Sequence, residues 1–286
     1  MPPAQVIDGR RIAAEVRSAL QGEVQRLQRD RGVTPGLAAV LVGEDPASQV
    51  YVRNKIRACK EVGLYSRAIE LPASTPQDEL LTLMEELNHD TRIHGILVQL
   101  PLPREIDQRA VLAAVAPAKD VDGFLPIHLG KLLAGHPEVI PCTPAGVLRL
   151  IESTGVALEG AQAVVVGRST TVGKPTALLL LARHATVTLC HSHTRDLVPI
   201  CRQADLLVVA AGRPHLITAD MIKAGAIVID VGINRLPDGR LVGDVDFEAA
   251  RQVAGYISRV PGGVGPMTIA MLLQNTVRAA QRQSAR

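Results

Sequence analysis

The sequence predicts an α/β protein of two domains, each built on a mostly parallel sheet. Short apolar runs without polar alternation recur along its 286 residues and alternate with stretches that have a helical hydrophobic period. This alternation is typical of right-handed βαβ units. A glycine-punctuated turn after one buried run marks the second domain as a doubly wound, Rossmann-type nucleotide-binding domain.

The first half of the chain is predicted to form one α/β domain. Residues 11–29 carry an apolar stripe with a 3.6-residue period and are predicted to form an amphipathic helix. Strands are predicted at residues 37–42, 65–71 and 95–100, and helices from residue 46 and at residues 76–88. We expect residues 1–141 and 266–286 to form this domain.

The second half, residues 142–265, is predicted to form the nucleotide-binding domain. A helix at residues 143–154 leads into it, and buried strands are predicted at residues 163–166, 186–190, 206–210 and 227–231. A long helix from residue 267 to about residue 282 closes the chain. We expect this terminal helix to return to the first domain.

The stretch from residue 163 to residue 183 is predicted to hold a nucleotide phosphate. Gly167 allows a sharp exit from the strand, Gly173 allows close packing, and Pro175 suits a first helical turn. Unpaired N–H groups and the dipole at the helix N-terminus favour an anion. Ser169 replaces the middle glycine of G-x-G-x-x-G, so a βα turn without a ligand remains the alternative.

The end of the next strand favours NADP over NAD. An NAD-binding unit places a carboxylate there for the ribose hydroxyls, but residues 191–195 read HSHTR and no carboxylate occurs before Asp196. Arg168 and Ser192, with His193 or Arg195, offer positive charge and hydroxyl groups to a ribose phosphate instead. The cofactor is therefore predicted to be NADP.

Composition excludes several classes of function. Lys and Arg number 31 against 28 Asp and Glu, a net charge of +3 that gives no support for nucleic acid binding. No signal peptide and no apolar run of membrane-spanning length is present, so a cytoplasmic protein is expected. The four cysteines form no C-x-x-C, and the histidines form no metal-ligand or serine-type set, so no metal is predicted.

Several polar residues are candidates for binding a substrate opposite the cofactor. Ligands bind outside the carboxyl ends of parallel strands. Tyr51 and Lys55 share one helix face, Gln99 ends a strand, Asp122 lies in a connecting turn, and residues 261–263 form a Pro-Gly-Gly loop. Alternatives without a functional role remain: Lys55 as a solvated charge, Gln99 as a strand-end cap and Asp122 as part of a common Asp-Gly turn. Asp120 is assigned to the turn itself.

The sequence also resembles the bifunctional methylenetetrahydrofolate dehydrogenase/methenyltetrahydrofolate cyclohydrolases. The resemblance covers nearly the whole chain. Its specific motifs are GEDPASQVYVRNK at residues 43–55, VQLPLP at 98–103, KDVDGF at 119–124, GRS at 167–169 and PGGVGPMT at 261–268. Arg10 and His193 stand where the family more often has a lysine and a basic residue.

The resemblance implies a role for each candidate residue. Tyr51 stacks on the folate, Lys55 is the key group of the cyclohydrolase step, Gln99 holds and tunes that lysine, and Asp122 fixes the pterin. The residues expected to bind the substrate are Tyr51, Lys55, Gln99, Asp122, Pro261, Gly262 and Gly263. The residues expected to bind NADP are Gly167, Arg168, Ser169, Ser192 and Ile233.

The implied function is NADP-dependent oxidation of 5,10-methylenetetrahydrofolate, followed by hydrolysis of the methenyl product to 10-formyltetrahydrofolate. A cytoplasmic homodimer that serves one-carbon metabolism and purine biosynthesis is expected, with the dimer formed through an exposed strand edge in the second domain. Two alternatives remain open. One is a two-domain NADP-dependent dehydrogenase of another small substrate, and the other is a non-catalytic NADP-binding regulator.

Overall fold

The computed structural model describes residues 2–285, which divide into two units. The six-stranded unit contains the chain up to Ala14, Leu132–His136 and Pro141–Thr268. The three-stranded unit contains Glu15–Lys131, Pro137–Ile140 and the chain from Ile269 onward. Both units are α/β, with parallel central sheets, so the predicted fold class is confirmed.

The elements follow one another in the alternating order that the sequence predicts. The first group is β1 (Gln5–Ile7), α1 (Gly9–Arg31), β2 (Gly36–Val42), α2 (Pro46–Val62), β3 (Tyr65–Leu71), α3 (Gln77–His89), β4 (Gly95–Val98), α4 (Gln108–Ala113) and α5 (Pro126–Leu133). The second group is α6 (Cys142–Glu152), β5 (Gln162–Val166), α7 (Gly173–Leu181), β6 (Thr186–Cys190), α8 (Leu197–Arg202), β7 (Leu206–Val209), β8 (Ile227–Asp230), β9 (Asn234–Arg235), β10 (Leu241–Val242), α9 (Phe247–Ala250), β11 (Tyr256–Ser258) and α10 (Val264–Gln283).

The three-stranded unit is organised around β2. This strand lies between β3 and β4, pairs in parallel with both, and is buried along its whole length. Its side chains at Ala38, Val40 and Val42 belong to a core that includes Leu80 and Met84 of α3. Because no residue of β2 faces water, the strand reads as an uninterrupted apolar run in the sequence.

The six-stranded unit has a doubly wound parallel sheet in the order β1-β11-β8-β7-β5-β6. The chain passes from β5 to β6 on one side and then crosses to β7 on the other side. This reversal creates a crevice at the carboxyl ends of β5 and β7, where doubly wound folds bind their ligands. A cluster that includes Val164, Leu207, Val228 and Ile257 forms the core on one face of this sheet.

The predicted return of the terminal helix is confirmed by contacts in the three-stranded unit. Asn275 Nδ2 of α10 donates to Val121 O at 2.9 Å and to Ile140 O at 3.0 Å. Gln283 Nε2 donates to two further carbonyl oxygens, those of His94 and Ala118, each at 2.9 Å. The last part of α10 is thus fixed by hydrogen bonds as well as by its buried apolar face.

Several short elements of the described residues were absent from the sequence prediction. The strand β1 adds to the six-stranded sheet beside β11, β9 and β10 form a small antiparallel hairpin, and α4 and α5 are short helices. The four cysteines are buried free thiols, as predicted. Within residues 2–285, no helix is long and apolar enough to span a membrane.

A buried histidine and a buried lysine lie close together beside the three-stranded sheet. His94 is 7% exposed, and its Nδ1 accepts a hydrogen bond from the Gly36 N–H at 3.0 Å. Lys119 donates to Leu87 O and Asp90 O at 2.8 and 2.9 Å. Burial lowers the pKa of His94 below its ordinary value of 6.5, and the positive charge of Lys119 lowers this pKa further.

We predict that the contribution of His94 to the free energy of unfolding falls as the pH drops below about 6.5, because the unfolded chain then binds a proton that folded His94 resists. His94→Asn keeps an acceptor for Gly36 but does not titrate, so its stability should depend less steeply on pH. Urea denaturation between about pH 7.5 and pH 5 measures both slopes. His136→Asn, at an exposed histidine, is the control, and identical slopes for His94→Asn and wild type would contradict the account.

Candidate active site

The central contact of the three-stranded unit joins α2 to the end of β4. Asp45 begins α2 by accepting a hydrogen bond from the Ser48 N–H at 2.7 Å, and Pro46 occupies the first turn. The helix places Tyr51 and Lys55, both half-buried, one turn apart on one face. Lys55 Nζ donates to Gln99 Oε1 at 3.0 Å.

Gln99 is held in one orientation by its backbone and by its own amide. Its N–H donates to Val40 O at 2.8 Å, which continues the ladder of the neighbouring strand β2 beyond the end of β4. Its Nε2 donates to Leu100 O at 2.8 Å, so the amide oxygen is directed to Lys55. The lysine therefore has a neutral partner that fixes the amine without adding a negative charge.

Asp122 lies in a turn that the neighbouring Asp120 stabilises. The Asp120 carboxylate accepts hydrogen bonds from the N–H groups of Gly123 and Leu125, each at 2.9 Å, which confirms its assignment to the turn. Burial raises the pKa of Asp120, although these hydrogen bonds and His128 act in the opposite direction.

The turn brings Asp122 to the same end of the sheet as Gln99. Asp120 forms a parallel bridge with Ile96 of β4, so the chain from Asp120 to Asp122 runs alongside the last residues of that strand. Asp122 is half-buried and lines a small crevice together with Val98, the residue before Gln99. A carboxylate, an amide and an amine are thus carried by neighbouring segments of one unit.

The six-stranded unit has a sharp glycine turn between β5 and α7. Gly167 has a φ of +126°, and a Cβ at this position would overlap Ala210 O at the end of β7. A Cβ at Gly173 would overlap Gly167 O. Glycine is required at both positions because the chain turns sharply where β5 and β7 separate. This geometry fits a dinucleotide, because the protein backbone of the turn lies close to the crevice of the doubly wound sheet.

Ser169 accepts hydrogen bonds from N–H groups at the start of α7 that were expected to be unpaired. Its Oγ accepts hydrogen bonds from the N–H groups of Val172 and Gly173 at 3.1 and 3.2 Å, and its carbonyl oxygen accepts from Lys174 N at 3.0 Å. The sequence prediction of unpaired N–H groups at the start of α7 is therefore wrong for these three. The positive end of the helix dipole still faces the turn.

The chain after β6 forms a tight turn that exposes polar side chains. His191 Nδ1 accepts a hydrogen bond from His193 N at 3.1 Å, and the Thr194 hydroxyl accepts from His191 N at 2.8 Å. Ser192 and His193 are exposed at the turn, as is the following Arg195.

The positive charge of Arg168 lies close enough to this turn to act on His191. Burial lowers the pKa of His191 and the nearby charges of Arg168 and His193 lower it further, so His191 is neutral at pH 7. Arg168 is exposed after β5, the neighbour of β6 in the sheet. The structure therefore brings Arg168 and the Ser192 turn to adjacent positions, as the predicted site for a ribose phosphate requires.

A buried carboxylate that the sequence analysis missed connects two other loops of the cofactor region. Asp244 has no exposed surface. Its Oδ2 accepts from Ala211 N and Gly212 N at 2.6 and 2.8 Å, and its Oδ1 accepts from Arg213 N at 2.9 Å and from Asn234 Nδ2 at 2.8 Å. Three of these partners lie in the loop after β7, and Asn234 begins β9, just after the loop that follows β8.

Asp230, at the end of β8, lies beneath Asp244. Its carboxylate accepts hydrogen bonds from Gly232 N, Asp244 N and Val245 N at 2.9 to 3.0 Å. Burial raises the pKa of Asp230 to about 6. Ile233, predicted to contact the cofactor, is 47% exposed on the loop that these two carboxylates fix.

The predicted Pro-Gly-Gly loop follows β11, the neighbour of β8. Gly262 has a φ of +115°, and both Gly262 and Gly263 are buried against the start of α1 at Gly9. All candidate residues of the six-stranded unit therefore stand at the carboxyl ends of its strands. In residues 2–285, no group of three or more His, Cys, Asp or Glu side chains is arranged to hold a metal ion.

Two family models match the chain. The tetrahydrofolate dehydrogenase/cyclohydrolase catalytic domain matches residues 7–122, and the NAD(P)-binding domain of the same family matches residues 141–284. The chain belongs to the tetrahydrofolate dehydrogenase/cyclohydrolase family and is a bifunctional enzyme. The predicted family, the two activities and the nicotinamide cofactor are thereby confirmed, and the two alternative functions are excluded.

Relatives match over the full chain. The bifunctional protein FolD of Moorella thermoacetica is 63% identical over 280 residues, which cover 98% of this chain and 100% of that protein. The structure of the bifunctional enzyme FolD from Campylobacter jejuni has a TM-score of 0.95 at 48% identity, covering 98% of this chain and 99% of that one. The structure of FolD from Trypanosoma brucei, complexed with NADP cofactor and inhibitor, has a TM-score of 0.95 at 43% identity and covers 99% of both chains.

We predict that Asp244→Asn raises the KM for NADP about tenfold and leaves the KM for the folate substrate unchanged. The amide would place an NH2 group against backbone N–H donors that now share a carboxylate, so the loops after β7 and β8 would separate. Steady-state kinetics with each substrate varied in turn gives both constants.

Asn234→Ala removes only one of these hydrogen bonds and should shift the NADP constant in the same direction by less, which keeps the test valid if Asp244→Asn folds poorly. Asp238→Asn, at an exposed carboxylate paired with Arg240, is the control. An equal rise in both Michaelis constants would show a general structural role for Asp244 instead.

Proposed function

We propose that Lys55, held by Gln99, transfers the protons in the hydrolysis of 5,10-methenyltetrahydrofolate to 10-formyltetrahydrofolate. This step follows the NADP-dependent oxidation of 5,10-methylenetetrahydrofolate by the same chain. The observation that carries the proposal is the 3.0 Å hydrogen bond from Lys55 Nζ to Gln99 Oε1. It presents an amine beside Tyr51, on the face of α2 that is proposed to hold the folate.

The oxidation needs no acid or base from the protein. When bound, NADP supplies the hydride acceptor for the methylene carbon of the folate. Gly167, Arg168, Ser169, Ser192 and Ile233 are proposed to hold it at the ends of β5, β6 and β8. The contribution of the protein to this step is position and electrostatic environment.

The hydrolysis does require proton transfer. The methenyl carbon is cationic, and water adds to it as the Lys55 amine accepts a proton from that water. Opening of the ring then breaks one carbon–nitrogen bond, the hydroxyl group of the water adduct loses its proton to solvent as it becomes the formyl oxygen, and the formyl group stays on the other nitrogen. The released nitrogen takes a proton that Lys55 returns, so the lysine acts as general base and then as general acid. Gln99 directs the amine through a neutral contact, so no carboxylate retains the proton on Lys55.

The folate is proposed to bind by stacking and by paired hydrogen bonds. Tyr51 offers a ring one turn before Lys55, on the same helix face. Asp122 offers two acceptor oxygens to the amino-pyrimidinone edge of the pterin. Pro261, Gly262 and Gly263 are proposed to contact the substrate at the loop after β11, where Pro261 is exposed.

We infer that the enzyme prefers NADP to NAD. The inference is supported by Arg168 and the exposed Ser192, His193 and Arg195, which face the end of β6 where an NAD enzyme has a carboxylate. The FolD of Trypanosoma brucei, whose structure contains NADP, is 43% identical.

We also propose that the enzyme is a cytoplasmic homodimer whose product serves purine biosynthesis. The edge strand β6 supports the dimer, because its outer side has no paired strand among the described residues. The formyl group of the product supports the metabolic role.

We predict that Lys55→Met reduces hydrolysis of the methenyl compound by at least about a hundredfold while the protein stays folded, because methionine keeps the length of the side chain but cannot carry a proton. Decay of the methenyl absorbance measures the rate, and circular dichroism checks the fold. Lys60→Met, at an exposed lysine of the same helix, is the control. Retained cyclohydrolase activity in Lys55→Met would exclude this role.

We predict that Asp122→Ala raises the KM for the folate by about tenfold or more and leaves the affinity for NADP unchanged, since it removes the paired acceptors. Initial rates and a separate NADP titration provide the two values. Asp78→Ala in α3 is the control. If affinity for both ligands falls, Asp122 supports the turn rather than the pterin.

A further inference from the structure

The side chain of Asn275 in α10 is a buried polar group that the proposed chemistry does not use. Asn275 is 6% exposed and lies in the part of α10 that belongs to the three-stranded unit. Its Nδ2 donates to Val121 O at 2.9 Å and to Ile140 O at 3.0 Å. An amide NH2 group has two hydrogens, and each of these contacts uses one of them. The contact with Val121 adjoins Asp122, a candidate substrate residue.

The hydrogen bond to Val121 O bears directly on the position of Asp122. The carbonyl group of Val121 and the N–H group of Asp122 belong to one peptide unit, whose atoms lie close to a plane that includes both Cα atoms. A donor that fixes the carbonyl oxygen therefore restricts the orientation of that plane and the position of the Asp122 Cα. Rotation of the unit would move Asp122 and would separate a buried carbonyl oxygen from its donor, which costs free energy.

The side chain of Val121 is confined as well. Val121 has no exposed surface. A Cβ at Gly95 would lie 2.6 Å from Val121 Cγ1 and 3.3 Å from Thr276 Oγ1, so glycine at this position of β4 leaves the space that these two side chains fill. Thr276 is also fully buried and directly follows Asn275 in α10. Adjacent residues of the helix therefore lie at the Val121 carbonyl and beside the space that its side chain fills.

The residue before Val121 is fixed by separate contacts. The Asp120 carboxylate accepts hydrogen bonds from Gly123 N and Leu125 N, each at 2.9 Å, and Asp120 forms a bridge with Ile96 of β4. These contacts close the turn and join it to the sheet, whereas the contact with Asn275 joins it to the terminal helix. Asp122 thus lies in a turn that both the sheet and α10 hold in place.

We propose that Asn275 is a positioning residue for the folate site, which holds the peptide unit before Asp122 so that the Asp122 carboxylate is oriented before the substrate binds. This rests on the proposed function, in which Asp122 binds the amino-pyrimidinone edge of a pterin. Paired hydrogen bonds to a planar edge require both acceptor oxygens to be in a defined orientation. A carboxylate that is already oriented loses less conformational entropy on binding, so the substrate binds more tightly.

We predict that Asn275→Leu raises the KM for methylenetetrahydrofolate by roughly fivefold, with kcat and the KM for NADP unchanged, because leucine has a similar size but no donor for Val121 O. Asn275→Ser keeps one hydroxyl donor and should raise the folate KM by less, and it can replace Asn275→Leu if that variant folds poorly. Gln283→Met is the matched control. It removes an amide of the same helix that donates to two other carbonyl oxygens, and it should leave the folate KM unchanged.

A double-mutant cycle tells whether Asn275 acts through Asp122. Where Asp122→Ala itself raises the folate KM, adding Asn275→Leu should cause no further rise, because the carboxylate that Asn275 positions is already absent. An equal fold-rise in the wild-type and Asp122→Ala backgrounds would show that Asn275 acts independently of Asp122. That result would overturn the proposal, as would the absence of any rise in Asn275→Leu alone.

Hydrogen exchange tests the positioning without any folate. The amides of Gly123 and Leu125 should exchange faster in Asn275→Leu than in wild type or Gln283→Met, since the turn that they close has lost its contact with α10. Unchanged exchange in Asn275→Leu would contradict the proposal. If Asp122→Ala left the folate KM unchanged, the proposed role of Asp122 would fail, and hydrogen exchange would still decide whether Asn275 holds the turn.

Discussion

The hydrogen bond from Lys55 Nζ to Gln99 Oε1 sets the chemistry of the three-stranded unit. It can form only because α2 packs on the sheet through buried residues such as Val52 and Cys59, and because the backbone of Gln99 continues the ladder of β2 through Val40. Each partner is fixed by a separate element. A mobile lysine on a helix surface thereby becomes an amine at a defined place.

The six-stranded unit also has a parallel sheet, and this sheet provides a crevice for a ligand. A reversal in the order of its parallel strands opens a crevice, and glycine at position 167 is required because any side chain there would meet Ala210. The loops around the crevice have little secondary structure. Their backbone N–H groups are fixed instead by hydrogen bonds to the carboxylates of Asp244 and Asp230. Buried carboxylates are costly unless fully hydrogen-bonded, and both of these are satisfied by several donors.

The parts that the sequence predicts well have a local signal. The strands at residues 65–71 and 186–190 match the structure at both ends, since their composition and flanking turns define them. Gln99 and Asp122 were predictable because strand ends and turns adjoin them. The strand β1 was not, because its three residues are defined by pairing with β11 at the other end of the chain. Asp244 was missed for the same reason: its donors come from the loop after β7 and from Asn234 of β9.

The most direct test concerns the charge of the partner of Lys55. Gln99→Glu keeps an oxygen acceptor for the lysine but adds a negative charge that holds the proton on the amine. An assay that follows NADPH and the methenyl chromophore together reports both reactions in one mixture. The account predicts that Gln99→Glu still forms NADPH while the methenyl compound accumulates. Hydrolysis at the wild-type rate in this variant would contradict it.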